Sequence, residues 1–481
     1  MITNRVLKIY KKMKWSKFNR MVKDKDGNLV IFNFFKGFSS LTKVMSSDIN
    51  TFKSFFESEI TATDVEDSGY EEFVKILLEK GILIDSSINE DILYEKKIYE
   101  EIFDDKMRLI VLTTGKCNFN CSYCLEAEQT MCRDRLTSEN QAIIIYFLQK
   151  YISKCNSLEV AWFGGEPLLE KSIICDMSDK MIKICKARHI PYSARITTNG
   201  FLLDIDTFDA LYNRKVYDYM ITLDGFKEQH DKYRHLHNGD GTYDVILKNL
   251  LNIRDNKKYK FAKIVIRVNI SRDVLDILDD FAKYLVSLFS EDSRFAFHFI
   301  PVENYSKNKT EDNQYVGIYE WNEKIRKDDF LRELYFAENK DFAALVPIGK
   351  CTSGKRNKFV ITPDLKVYKC EAHYDFNDNY LGYIDSKGNM IIDENLHEKW
   401  YLSNEILMSR MDQCKDCFYK TVCSNNCRNC PYCFVKENNE YGGCPLESED
   451  FIKNLEKQVI QAAELFPCYI VKMDDSEKNR V

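Results

Sequence analysis

The chain has 481 residues, of which 44% are hydrophobic, 13% aromatic and 30% charged. That is a globular composition, and at roughly 150 residues per domain the length predicts about three domains. Lys and Arg number 69 against 75 Asp and Glu, a formal charge of −6, which argues against general affinity for nucleic acid or an anionic membrane. No apolar run nears the ~20 residues of a membrane-spanning helix. The basic stretch Met1 to Lys17 lacks the apolar core of a secretion signal. The expected location is the cytoplasm, where thiols stay reduced and clustered cysteines more often hold metal than pair as disulfides. The chain carries 17 cysteines.

The first hundred residues, 1–100, form one expected module. Phe18 to Val22 and Leu29 to Phe35 are β-rich runs flanking Lys23-Asp24-Lys25-Asp26-Gly27-Asn28, a strong hairpin signal. Helical patterns follow at Ser47 to Ser58 and Tyr70 to Lys80, the second stopping at Gly81 as a C-terminal cap would. A hairpin with a few helices makes a small winged-helix-like module. The charged stretch Asn89 to Lys106 leads onward.

Between residues 101 and 342 the pattern is strand, loop, helix, repeated. The strands expected are Met107–Thr113, Leu158–Phe163, Ser193–Thr198, Tyr219–Leu223, Lys263–Ile270 and Phe295–Ile300. Helical periods fall at Ser138–Tyr151, Ser172–Lys186, Tyr243–Ile253 and Val274–Phe289. This α/β alternation predicts a parallel sheet with right-handed crossovers, an open partial (β/α)6 barrel. Residues 343–450 are cysteine-rich, with short β pieces at Lys358–Thr362 and Lys366–Lys369, as expected of a small core stapled by metal. Residues 451–481 are a C-terminal helix and a charged tail.

Polar and glycine residues follow the barrel strands directly: Cys117 the first, Gly164-Gly165-Glu166 the second, Asn199-Gly200 the third and Asp224-Gly225 the fourth. In α/β barrels those strand ends carry the chemistry. Cys117-Asn118-Phe119-Asn120-Cys121-Ser122-Tyr123-Cys124 has the spacing C-x3-C-x2-C. Three thiolates on one loop can hold three irons of a cubane cluster and leave the fourth open. Structural zinc would need a fourth ligand, and Cys132 is near enough in sequence to supply it.

This loop, with an aromatic before its last cysteine, resembles the radical S-adenosylmethionine (SAM) family. The resemblance implies a [4Fe–4S] cluster on Cys117, Cys121 and Cys124 whose open iron chelates SAM, and a 5′-deoxyadenosyl radical that abstracts hydrogen from substrate. Tyr123 joins the cofactor set. Gly164, Gly165 and Glu166 resemble the segment contacting the methionine amino group. Thr198, Asn199, Thr222 and Asp224 resemble strand ends lining the methionine and ribose sites. Arg267 resembles a residue pairing with the methionine carboxylate. His230-Asp231-xx-Arg234 and Gly239-xx-Thr242 match the run that usually follows.

The C-terminal cysteines resemble the SPASM extension of that family, which holds two auxiliary four-iron clusters, making three in all. Carried over, Cys414, Cys417, Cys423 and Cys444 bind one, while Cys351, Cys370 and Cys427 bind the other and leave one iron without an assigned ligand. Two departures stand out: Leu365 where the family has glycine, and the extra thiols Cys430 and Cys433, either of which could close the open site. Cys155, Cys175, Cys185 and Cys468 are expected to be buried packing thiols. Glu371, after Cys370, occupies a place where some members carry a base for the substrate.

Enzymes with this extension mostly modify peptides, and many open with a winged-helix-like module that binds a precursor's leader segment. The resemblance therefore implies a peptide maturase in which a carbon radical on the core peptide is expected to couple with a cysteine sulfur to form a thioether. An auxiliary cluster with an open iron could bind the substrate thiolate and take the surplus electron. The partners implied are a precursor peptide and a reductant such as flavodoxin or ferredoxin. The alternatives are carbon–carbon crosslinking, sulfatase-type formylglycine formation and, from another class, a zinc-bearing regulator.

Overall fold

The computed structural model describes residues 12–302 except 57–59, 62, 66–69, 125 and 127–131, nine positions between 315 and 334, 352–401 except 373 and 376, 416–422, and 449–471. The chain divides into two compact units, each drawn from separate stretches. One takes Met1–Phe103, Asp341–Lys355 and Tyr401–Val481, the other Asp104–Lys340 and Arg356–Trp400.

In the first unit the hairpin forms as its turn residues require. Asn19–Lys23 pairs antiparallel with Leu29–Asn33. The Asp24 carboxylate closes the turn by accepting from the Asp26 and Asn28 N–H groups, and Gly27 takes the positive φ the turn needs. Thr42–Val44 extends this sheet, and Tyr469–Val471 pairs parallel beside it at the far edge. That last strand falls in the stretch expected to be helix and tail. Helix Glu449–Leu465 buries Leu455, Val459 and Ala462 with Phe32 and Phe34. A second sheet has Lys12–Trp15 between Ile60–Thr61 and Leu83–Asp85. Of the two expected helices, Glu71–Glu79 ends as anticipated: Gly81 is left-handed and the Ile82 N–H returns to the Leu77 carbonyl. The other runs Ile49–Phe56.

The second unit holds six parallel strands, Lys106–Leu112, Ser157–Phe163, Tyr192–Thr198, Val216–Thr222, Lys263–Ile270 and Phe295–Pro301, each bonded to its sequence neighbour. Their buried Val, Ile, Leu and Phe side chains pack against helices Ser138–Tyr151, Lys171–Ala187 and Tyr243–Asp255. The single helix expected at Val274–Phe289 is instead two, Arg272–Asp276 and Leu278–Phe289, broken where Ile277 leaves helical geometry (φ −107°, ψ 7°). Both pieces bury the same apolar face, with Val274, Leu278, Phe281 and Leu285 inside, so the period runs on through the break. Lys358–Ile361 pairs parallel with the first barrel strand. Lys366–Tyr368, Tyr380–Ile384 and Met390–Ile392 then continue the sheet antiparallel to ten strands. Among the described residues no helix is long and apolar enough to cross a membrane.

Leu365, read above as a departure from an expected glycine, takes a left-handed backbone of the kind that favours glycine. Its φ is +62°, in the turn between Lys358–Ile361 and Lys366–Tyr368. A left-handed leucine costs about 1 kcal/mol, whereas deleting a buried leucine side chain costs about 2–5 kcal/mol. This one is 8% exposed in the core of the unit, so packing outweighs strain. Leu365→Gly should therefore lower stability by about 1–4 kcal/mol, seen as a lower Tm. A rise in Tm would show that strain dominates.

Candidate active site

The C-terminal ends of the barrel strands enclose a cleft of about 340 Å³. Cys117, Cys121, Tyr123 and Cys124 line it from the loop after the first strand. Gly164 and Gly165 come from the second strand end, Thr198 and Asn199 from the third, and Thr222, Arg267 and Asn269 from the fourth and fifth. Glu371 reaches it from the sheet extension.

The cysteine loop is fixed by backbone on one flank. The Gly165 N–H donates to the Thr114 carbonyl at 3.1 Å and the Glu166 N–H to the Lys116 carbonyl at 2.9 Å. A Cβ on Gly164, at φ +126°, would lie 2.1 Å from the Thr114 oxygen, and one on Gly165 would lie 2.4 Å from the Lys116 oxygen. Only glycine permits that approach.

Glu166 and Asp224 stand behind the wall of the cleft. Glu166 is fully buried; its carboxylate accepts from the Leu168 N–H at 2.9 Å, the Thr198 hydroxyl at 2.7 Å and the Asn199 N–H at 2.7 Å. Burial pushes its carboxyl up, against the pull of those bonds. The carboxylate is thus a brace that ties the second strand end to the third. Asp224 accepts from the Tyr123 hydroxyl and, at 2.7 Å, from the Asn269 N–H; burial raises its carboxyl, with Arg234 opposing. The Asp224 N–H donates to His230 Nδ1 at 3.1 Å, and His230 Nε2 lies 3.0 Å from the Thr242 hydroxyl, an arrangement that suits the neutral ring.

The thiols lie in surroundings that disfavour a bare anion. Burial, with Glu166 and the other two thiols adding, pushes Cys117 up to about 12. Burial also raises Cys121, with Arg234 opposing. A bound cation would reverse this, since a coordinating thiol is deprotonated outright. Cys117 Sγ already accepts from the Phe119 N–H at 3.4 Å, and Cys370 Sγ from the Ala372 N–H at 3.4 Å, as ligating sulfurs do. Among the described residues no three His, Cys, Asp or Glu side chains converge on one ion. Three thiols lining one cleft are a donor set that three irons of a cubane cluster would take, one thiolate each. Cys132 does not line the cleft.

Glu371 pairs with Lys358, Nζ to Oε2 at 2.6 Å, and the lysine is 1% exposed. Burial would raise the Glu371 carboxyl, but Lys358 outweighs it and holds it below the usual range. Of the cysteines expected to hold auxiliary clusters, Cys370 is buried in the second unit and Cys417 half-buried in the first. Cys351, Cys414, Cys423, Cys427 and Cys444, with Cys430 and Cys433, lie outside the described residues. Of the four expected packing thiols only Cys185 is buried, while Cys155, Cys175 and Cys468 are half-buried. Asn269 and Lys358 escaped the sequence reading. Asn269 shares a strand face with Arg267 two residues earlier, and a lysine heading the apolar run Lys358–Ile361 was a signal of a buried charge.

Residues 111–281 match the model of the Radical SAM superfamily, and the chain carries a radical SAM domain. The cysteine-type anaerobic sulfatase-maturating enzyme of Clostridium novyi (strain NT) is 26% identical over 373 residues, 73% of this chain and 95% of that protein. The radical SAM cyclopropyl synthase TigE of Paramaledivibacter caminithermalis is 25% identical over 290 residues, 55% of this chain and 58% of that one. The solved structure of histidine-tagged anSMEcpe with bound AdoMet shares the fold at TM-score 0.54 and 19% identity, over 75% of this chain and 97% of that one.

Two outcomes follow from the geometry. Gly164→Ala should displace the cysteine loop and cut the iron bound after anaerobic reconstitution, while the far-UV circular dichroism stays that of the parent. Burial, with Arg234 adding, also drops His230 to about 3, whereas an unfolded histidine titrates near 6.5. The folded state prefers the neutral ring, so its full stability holds above about pH 6.5 and falls on acidification towards pH 3, by roughly 1.4 kcal/mol per unit. His397, also held at about 3, adds to that slope. His230→Asn should flatten the decline of Tm between about pH 6.5 and 5; an unchanged slope would remove His230 from the acid response.

Proposed function

We propose that the chain is a radical SAM peptide maturase whose reaction occupies the cleft at the barrel mouth. The observation that carries this is the gathering of Cys117, Cys121 and Cys124 in one cleft with Gly164, Gly165, Thr198, Asn199, Thr222, Arg267 and Glu371. The three thiolates would hold a [4Fe–4S] cluster, and with SAM that group supplies one electron to cleave a carbon–sulfur bond and release a 5′-deoxyadenosyl radical. The Gly164-Gly165 backbone would take the methionine amino group and Arg267 its carboxylate. Thr198, Asn199 and Thr222 would line the methionine and ribose sites, with Tyr123 held by Asp224 on the cysteine-loop side. Glu371, kept ionised by Lys358, would accept the proton of a substrate thiol or backbone group.

The substrate class proposed is a precursor peptide and the product a cysteine thioether. The hairpin module of the first unit would capture the leader segment, with a flavodoxin or ferredoxin as reductant. Asn19–Lys23 is an outer strand of its sheet, and an extended peptide can add at such an edge. In this reading residues 1–100 are a winged-helix-like module and the C-terminal cysteines hold two auxiliary clusters in a SPASM domain. Formylglycine formation is the second reading, favoured by the sulfatase-maturating relative that aligns over most of its length.

Anaerobically reconstituted protein should bind about twelve irons, falling to about eight in the Cys117/Cys121/Cys124 triple alanine. That variant should release no 5′-deoxyadenosine, and retained release would sink the assignment. Mass spectrometry of treated peptides separates the two products. A thioether consumes the thiol and leaves no aldehyde, whereas formylglycine reacts with a hydrazide probe.

A further inference from the structure

The cysteine loop is fixed on its second flank by the segment that follows the fourth barrel strand. The Asn120 N–H donates to the His235 carbonyl at 2.9 Å, the Ser122 N–H to the Tyr233 carbonyl at 3.1 Å, and Phe119 bridges to Leu236. This register sets Arg234 opposite Cys121. The arginine is 8% exposed and lines the cleft with the three thiols. Its Nη1 donates to the Tyr123 hydroxyl at 3.2 Å, and its guanidinium lies over the Phe119 ring at 5.7 Å. The Asp224 carboxylate is 4.0 Å from Nε, and that carboxylate already accepts from Tyr123 and Asn269. Nε is buried with no hydrogen-bond partner among the described residues. A buried guanidinium with a donor to spare is costly unless an anion lies beside it.

We propose that Arg234 is a positioning residue for the cluster loop, a fixed cation that stabilises the reduced state of the iron–sulfur cluster held by Cys117, Cys121 and Cys124. This rests on the cluster assignment made above. A cluster bound by thiolates is anionic and becomes more so when it takes an electron, and its potential follows net charge and hydrogen bonds to sulfur. In a site shielded from water a nearby charge acts far more strongly than it would in solvent. The buried carboxylates Glu166 and Asp224 act in the opposite sense, and Arg234, set opposite Cys121, works against them.

The test is a redox titration of the anaerobically reconstituted full-length protein, with electron paramagnetic resonance of the reduced state. The relevant signal is the one missing from the Cys117/Cys121/Cys124 triple alanine. If wild-type protein has no such signal, the cluster assignment falls and this proposal falls with it. Given the signal, Arg234→Gln should make reduction about tenfold less favourable, about 59 mV for one electron. Arg234→Lys, which keeps the charge, should stay near the wild-type potential. An unshifted potential in loaded Arg234→Gln overturns the proposal. If Arg234→Gln binds no iron, Arg234→Lys decides: loading at near-wild-type potential supports the role of charge, and failure to load or a shift as large as that expected of glutamine overturns it.

Discussion

The cleft depends on how closely the cysteine loop can approach its neighbours. Side chains do not set that distance; their absence does. Gly164 and Gly165 let the second strand end lie flush on the Thr114 to Lys116 backbone, and the bonds from Asn120 and Ser122 to the 233–235 segment fix the other flank. A loop with three thiols would otherwise be free to fray, because sulfur makes only weak hydrogen bonds of its own. Held on both sides, the thiols keep their places without a disulfide and without regular secondary structure.

Behind this frame two carboxylates are buried for different ends. Glu166 spends both oxygens joining the second strand end to the third, and Asp224 joins the cysteine loop to the fourth and fifth through Tyr123 and Asn269. Burying either unpaired would cost several kilocalories, so their partners are as necessary as the carboxylates. Such networks reward complete satisfaction and penalise any vacancy. The groups that line the cleft itself are of mixed character: three thiols, the basic Arg234 and Arg267, the acidic Glu371, and polar residues of the strand ends such as Thr198, Asn199 and Thr222.

The barrel was legible because its strands are apolar runs ending in glycine or polar residues, and every one of the six appears within a few positions of expectation. The hairpin was legible from turn chemistry in Asp24 to Asn28. What escaped has long-range causes. Nothing local in Lys358–Ile361 tells that it will pair with Lys106–Leu112, and a three-residue strand such as Tyr469–Val471 is too short to leave a period. The break at Ile277 is hidden because both pieces bury one face. At the site, residue types at strand ends were visible in the sequence. Their division into lining and bracing groups was not, since that depends on which atoms the fold satisfies.

The parallel pairing of Tyr469–Val471 with Thr42–Val44 bears on the order of events during synthesis. The six barrel strands are contiguous in sequence, and each pairs with the one just made, so the barrel can assemble progressively as it leaves the ribosome. The sheet of the first unit cannot take its Tyr469–Val471 strand until about four hundred residues after Thr42–Val44 have been made. The hairpin and Thr42–Val44 can pair early, but the free edge of Thr42–Val44 stays uncovered while the six parallel strands of the second unit are made.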